Sequence, residues 1–149
     1  ARTSLGLGTF AVEAVNAVPA LTLAGTITGA DQMISTVNLR DYGETTNAVG
    51  TFVTGSNATI DLTLGNSVTG TISTNVTLIF SNPTASDELC GFTLTLTNGG
   101  AATLTWPASV AWAGATAPTL TASGVDILTF FTVDGGTIWH GAIASTDSS

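Results

Sequence analysis

Ten carboxylates and one histidine are the side chains of this sequence that could perform acid–base chemistry. Hydrolysis of a glycan would need two carboxyl groups about 5 to 9.5 Å apart. Most of the acids sit at predicted turns or beside glycine, so turn chemistry explains them better than catalysis does. The acids are Glu13, Asp31, Asp41, Glu44, Asp61, Asp87, Glu88, Asp126, Asp134 and Asp147.

The sequence offers even fewer candidate residues for nucleophilic catalysis or metal binding. His140 follows Trp139, and no GxSxG segment accompanies it to make a Ser–His–Asp arrangement. Cys90 is the single cysteine, and its apolar neighbours predict a buried, inert thiol rather than a disulfide or a metal ligand. The TGADQM segment around Asp31 does not form a calcium-binding loop. We therefore expect no enzyme, no cofactor and no metal site.

Two of the three tryptophans lie in the stretch LTWPASVAWAG, which begins at Leu104. Their rings could form a platform for sugars, because aromatic side chains dominate binding hot spots. They could also fill a core, since Trp106 continues the inward phase of Leu104 and Pro107 then ends the strand. We expect core or interchain packing for Trp106 and Trp139, and both roles stay open for Trp112.

Charge is scarce in this chain. Charged residues make up 8% and hydrophobic residues 44%, and a typical charged share is about 25%, so the chain is expected to fold. The net charge is −8, and Arg2 and Arg40 are the only basic residues. Nucleic acid is excluded as a partner because its binding needs many Lys and Arg side chains. So few charges on a β-rich surface favour burial in an oligomer.

From about residue 57 the sequence has the period of β-strands, with apolar side chains at every second position of TIDLTLG, VTLIF and GFTLTLTN. Threonine fills the outward positions, where its β-branched side chain suits a pleated surface. The residues expected to face the core are Ile60, Leu62, Leu64, Val76, Leu78, Phe80, Phe92, Leu94 and Leu96.

Turn residues separate these segments. NGG at Asn98–Gly100 and DGG at Asp134–Gly136 each predict a hairpin, and Asn82–Pro83 begins a longer loop. Strands of this length and spacing predict an all-β fold, namely an antiparallel β-sandwich or jelly-roll-like domain. We assign residues 31–149 to this domain.

The first thirty residues lack the strand pattern of the rest of the chain. LGLGTFAVEAVNAVP is glycine-spaced and then alanine-rich, and Thr9 could cap a short helix that runs to Val18 and stops at Pro19. Residues 1–30 are predicted to be an extended, partly helical shaft or connector segment. The chain begins with Ala1, which indicates a processed chain or part of a longer one. No apolar run reaches the roughly 20 residues that span a bilayer.

Several motifs together resemble a known family. NVTLIFSNPTAS, GFTLTLTNGG and LTWPASVAWAGATAPTLTASGVDILTFFTVDGGTIWHG follow one another in the order of a β-domain that recurs in bacteriophage tail fibres and related virion proteins. The opening ARTSLGLGTFAVEAVNA is similar to segments along phage fibre shafts. The resemblance covers residues 2 to about 29 and 57 to 143.

The resemblance implies a non-enzymatic structural and adhesive protein on the surface of a tailed phage particle. It would be a homotrimeric tail fibre or spike module that contacts the host, either a cell-surface glycan or an outer-membrane protein. Other virion proteins of the tail, baseplate or capsid would be its partners. One alternative is a capsid decoration or head-fibre protein. Another is a glycan depolymerase, although phage tailspike enzymes generally use long bodies of coiled parallel strands, which a chain this short is expected to lack.

Receptor contacts would come from loops, because loops carry most binding residues. The candidate loops are residues 82–88, 111–118 and 41–47. The candidate receptor-binding residues are Trp112, Tyr42, Asn82 and Asp87. The residues expected in core or interchain packing are Phe92, Leu94, Leu96, Trp106, Phe130 and Trp139.

Overall fold

The structure, a computed structural model, describes residues 38, 40–53 and 58–148. Contacts divide the chain into two units, Ala1–Arg40 and Asp41–Ser149. The predicted connector and its helix from Thr9 to Val18 lie outside the described residues. Within the second unit, the described elements are ten strands and two short 3-10 turns, with no α-helix among them, and the all-β class is confirmed.

Three sheets hold these strands. A six-stranded sheet, the large sheet, has the order β1-β3-β6-β9-β10-β8, and two small sheets consist of β2 with β5 and of β4 with β7. The 3-10 turns are Leu62–Leu64 and Ala113–Ala115. The strands are β1 (Thr46–Phe52), β2 (Thr59–Asp61), β3 (Ser67–Ile72), β4 (Val76–Thr77), β5 (Ile79–Ser81), β6 (Ser86–Thr97), β7 (Leu104–Thr105), β8 (Val110–Trp112), β9 (Val125–Asp134) and β10 (Trp139–Ser145).

The first seven strands follow a coil. From β3 in the large sheet the chain runs through β4 and β5 in the two small sheets and returns to the large sheet as β6, parallel to β3. Before this turn, β1 lies in the large sheet beside β3 and β2 lies in a small sheet beside β5. After it, β7 lies in the other small sheet beside β4. The register aligns Thr51 with Thr71 and Thr71 with Thr97. Consecutive turns of the coil therefore stack strand upon strand, as repeats do in solenoid proteins.

The predicted antiparallel pairing is wrong for most of the fold. Only β6 with β9 and β9 with β10 pair antiparallel among the described strands, whereas the other five pairings are parallel. Alternation of side chains is the same in both kinds of strand, so it does not reveal the direction of the partner. The chain thus has a short coil of parallel strands, a feature that the sequence analysis assigned to tailspike enzymes and not to this chain.

One predicted hairpin forms and the other does not. The Asp134–Gly136 turn joins β9 to its antiparallel neighbour β10. At the Asn98–Gly100 turn the chain leaves the large sheet, and β7 pairs with β4. The backbone of this turn is hydrogen-bonded to the segment before β9. The Asn98 N–H donates to Gly124 O at 2.8 Å, and the Gly100 N–H donates to Thr121 O at 2.9 Å.

A hydrophobic cluster of described residues lies between the sheets. It contains Leu94 and Leu128 from the large sheet together with Ile60 and Val76 from the small ones. Phe80 of β5 packs edge-on against Phe92 of β6, with ring centroids 5.0 Å apart. The small sheets therefore cover the inner face of the large sheet.

The alternation predicted for β6 is seen in the structure, and the one predicted around β2 is broken. Phe92, Leu94 and Leu96 are buried, with partly exposed threonines between them. Leu64 is 58% exposed instead of buried. The Asp61 side chain accepts a hydrogen bond of 3.0 Å from Thr63 N–H, which ends the strand and begins a 3-10 turn.

Candidate functional site

The two tryptophans of LTWPASVAWAG pack against each other. The ring centroids of Trp106 and Trp112 are 5.2 Å apart, and those of Trp112 and Phe130 are 5.6 Å apart. Trp112 also lies over Gly141, where an added Cβ would stand 2.8 Å from Trp112 Cζ3. Both tryptophans are half-buried and pack on the edge of the core. Trp112 is therefore a packing residue with one side open to solvent.

A second aromatic group fills the centre of the core. Phe92 stacks on Phe130 with ring centroids 5.0 Å apart, and Phe80 meets Trp139 edge-on at 5.5 Å. Trp139 is only 1% exposed. Phe92, Phe130 and Trp139 are buried and cannot reach an external ligand, and the T-shaped and stacked contacts of the group stabilise the fold.

The other candidate receptor-binding residues lie before β1 (Tyr42), after β5 (Asn82) and in the irregular start of β6 (Asp87). Tyr42 precedes β1 and is 67% exposed. Asn82 and Asp87 are exposed, with left-handed φ of 55° and 71°. Among the described residues, no hydrogen bond or ring contact joins Tyr42, Asn82, Asp87 and Trp112 to one another.

Asp61 belongs to a turn network. Its Oδ1 accepts hydrogen bonds from Asn82 Nδ2 at 2.9 Å and from the Thr63 hydroxyl at 2.7 Å. These bonds, that from Asn82 foremost, hold the pKa of the Asp61 carboxyl below its usual value. A carboxylate held ionised in this way serves to fix the turn, and Asn82 contributes to the same network.

Asp134 organises the hairpin between β9 and β10. Its Oδ1 accepts from Ile138 N–H at 3.0 Å and from the Thr132 hydroxyl at 2.7 Å. The backbone bond from Ile138, followed by the hydroxyl bond from Thr132, lowers the pKa of Asp134. The DGG turn thus uses its acid as a structural acceptor.

Asp126 is the one acid among the described residues that is fully buried. Its two oxygens accept from Thr121 N–H at 2.7 Å and from the Thr121 hydroxyl at 2.8 Å. Oδ1 also accepts from Asp147 N–H at 3.2 Å. This carboxylate ties the loop before β9 to the segment after β10.

His140 and Cys90 are not hydrogen-bond partners of these three acids. The His140 ring stacks on Phe131 with centroids 5.0 Å apart and is exposed. Cys90 is 5% exposed on β6. Over the described ranges, no group of three His, Cys, Asp or Glu side chains is placed to hold a metal ion.

Two surface depressions accompany this arrangement. One of about 270 Å³ is lined by Glu44, Thr45 and residues 62–66, and one of about 150 Å³ is lined by Asn75, Thr77 and their neighbours. Pockets for small molecules usually measure about 300 to 1,000 Å³, so both are small for that purpose. No helix within the described part of the chain is long and apolar enough to span a membrane.

A cluster of exposed apolar side chains on and beside the outer face of the large sheet was not predicted from the sequence. The signal was present in DILTFFTV, because two consecutive phenylalanines on one strand must point to opposite faces. Phe130 is 2% exposed and Phe131 is 46% exposed. We define the outer patch as Leu89, Phe131, Val133, Ile138 and His140.

Comparison with known proteins gave no match: no family model, no curated protein and no solved structure is significantly similar to this chain.

Proposed function

We propose that this chain is a non-enzymatic structural and adhesive module of a tailed bacteriophage, forming part of a homotrimeric tail fibre or spike on the particle surface. The observation that carries the proposal is the coil in which β1, β3 and β6 stack in parallel register. The homotrimer and a sandwich-like description of the large sheet over the two small ones are part of the same proposal.

A stacked coil suits a fibre because it can be lengthened by adding turns without changing those already present. After β7 the coil gives way to the antiparallel pair β9 and β10, which pairs with β6 on the large sheet. At the other side of that sheet β1 is the edge strand among the described elements. A module of this kind is suited to follow a longer shaft and to end it.

The roles of the acids support a non-enzymatic function. Asp61, Asp126 and Asp134 each accept backbone and hydroxyl hydrogen bonds within turns or loops. A glycosidase needs a pair of carboxyl groups facing one substrate. Release of reducing sugar from bacterial envelopes by the purified chain would contradict this part of the proposal.

Contact with the host is proposed to involve the exposed loops, with Tyr42 as the best-placed aromatic side chain. Tyr42 is 67% exposed and makes no ring contact with any other residue that the structure describes. Because the net charge is −8, a neutral glycan or an outer-membrane protein is a better partner than a polyanionic glycan. Weak contacts repeated in a trimer would add up through avidity.

Binding of the fluorescently labelled full chain to a panel of bacterial cells tests adhesion. Tyr42→Ala should reduce cell binding, and Leu64→Ala is the matched control because Leu64 is also exposed, at 58%. A chain that binds no cells, or two variants that bind equally well, would count against the adhesive role of Tyr42. Antibody labelling of intact particles would separate a tail position from a capsid-decoration or head-fibre position.

A further inference from the structure

The outer patch lies on the side of the large sheet that faces away from the core. Its four apolar members are 73% exposed for Leu89, 50% for Val133, 46% for Phe131 and 45% for Ile138. Single exposed apolar residues are ordinary, but a contiguous group of them marks an interaction surface.

Strand geometry places these residues side by side. Phe131 pairs with Gly91 on β6 and with His140 on β10. Its ring stacks on His140, and an added Cβ at Gly91 would stand 3.5 Å from Phe131 Cβ. Gly91 leaves the Phe131 ring uncovered on that side.

The remaining members lie next to this pair. Val133 follows Phe131 by two residues, Leu89 precedes Gly91 by two, and Ile138 precedes His140 by two. Val133 shares the face of Phe131, because side chains two apart on a strand point the same way. Leu89 lies at the irregular start of β6 beside Cys90, which pairs with Thr132, and Ile138 lies just before β10, where its N–H donates to Asp134. Leu89 and Ile138 therefore lie close to Val133.

The size of the outer patch fits the centre of a protein interface. The exposed fractions of the four apolar residues correspond to an area on the order of 400 Å², the size at which apolar patches mark binding sites, whereas a standard interface covers about 800 Å² per partner. Thr93 and Thr129 continue the face as uncharged polar residues. An apolar centre with a polar rim is the usual anatomy of an interface.

We propose that the outer patch is the surface through which copies of this chain bind one another. The aliphatic side chains Leu89, Val133 and Ile138 match an apolar protein surface better than a sugar. The patch carries no carboxylate, whereas each copy has a net charge of −8. Copies therefore approach with least repulsion where charge is absent, and in a homotrimer the three equivalent patches supply such a surface when they meet around the three-fold axis.

This inference rests on the proposed homotrimer and adds the residues that form it. Asp87 and Glu88 lie exposed next to Leu89, so like charges meet around the interface. Association is therefore expected to strengthen as salt screens the acidic rim.

Multi-angle light scattering and sedimentation of the full chain test the inference. The wild-type chain is expected to be a trimer, and the double variant Phe131→Thr, Val133→Thr should associate at least tenfold more weakly while keeping its circular dichroism spectrum. Threonine suits exposed strand positions, so folding should persist. The control is Leu64→Thr, Ile79→Thr, which removes two equally exposed aliphatic side chains outside the patch and should leave association unchanged.

If the double variant does not fold, hydroxyl-radical footprinting of the wild-type chain tests whether the outer patch is the interface. Phe131 and His140 should be protected at assembling concentrations and reactive on dilution, while Tyr42 stays reactive throughout. A trimer with reactive Phe131 would overturn the inference and leave the proposed function standing. A chain that is monomeric at every concentration would overturn both the inference and the trimer, and protected residues on a chain that binds no cells would overturn only the adhesive function.

Discussion

The ring of Phe52 on β1 occupies the space beside Gly70 on β3 where the Cβ of any other residue would stand. Phe52 is fully buried, so its ring cannot swing away. Gly70→Ala is expected to lower the free energy of unfolding by about 1 to 3 kcal/mol, the usual cost of overpacking, as measured by urea denaturation.

Gly43→Ala is the matched control for this substitution. An added Cβ at Gly43 meets nothing within 4 Å, and its stability should stay within about 0.5 kcal/mol of the wild type. Equal stability of the two variants would show that β1 does not pack on β3 as described.

Asp126→Ala should destabilise the protein strongly. The buried carboxylate accepts hydrogen bonds from the backbone N–H groups of Thr121 and Asp147, and leaving the part-buried Thr121 donor unsatisfied costs about 1 to 3 kcal/mol. Thr121→Val removes only the hydroxyl bond, and its cost should be near 1 kcal/mol. Thermal and urea unfolding of both variants would check this order, and an equal loss in the two would argue against the role of the carboxylate.

Asp134 should contribute a pH-dependent part of the stability. Hydrogen bonds from Ile138 and Thr132 lower its folded-state pKa below the ordinary value of 3.8. Its contribution is therefore fully present above that value and is lost as the pH falls through the lowered pKa. The stability difference between the wild type and Asp134→Asn should be constant down to about pH 5 and shrink in stronger acid.

Urea midpoints measured across this pH range test the contribution of Asp134. Thr137→Ala alters the same turn, where the Thr137 hydroxyl donates to Asp134 O at 3.0 Å, and removes no carboxylate. Its effect should be the same at every pH. A pH-independent difference for Asp134→Asn would mean that the ionised form is not the one that holds the turn.

Trp112→Ala should cost stability before it affects any binding. The side chain packs on Trp106, Phe130 and Gly141, and truncation of a half-buried tryptophan should cost about 2 to 4 kcal/mol. Calorimetry of Trp112→Ala and Tyr42→Ala separates the two kinds of residue, because Tyr42→Ala should stay within about 0.5 kcal/mol of the wild type. An unchanged melting temperature for Trp112→Ala would reopen its role as a ligand platform.

Local sequence patterns predicted which residues face inward, but they did not predict where those patterns are interrupted. The burial of Phe92, Leu94 and Leu96 follows from alternation alone. Leu64 follows the same alternation and is exposed, because the Asp61 side chain ends the strand by capping a 3-10 turn. The candidate site was less predictable, since the outer patch joins β6, β9 and β10 and no one of these strands contains it.

The sequence by itself determined the β class, the inward face of β6 and the turn between β9 and β10, because these depend on neighbours along the chain. The tertiary structure decided that Asn98–Gly100 leads to a different sheet and that β3 and β6 lie parallel. It also decided that Phe131 and His140 meet on an uncovered face. Parallel strands pair residues far apart in sequence, and a strand has the same two-residue period whichever direction its partner runs.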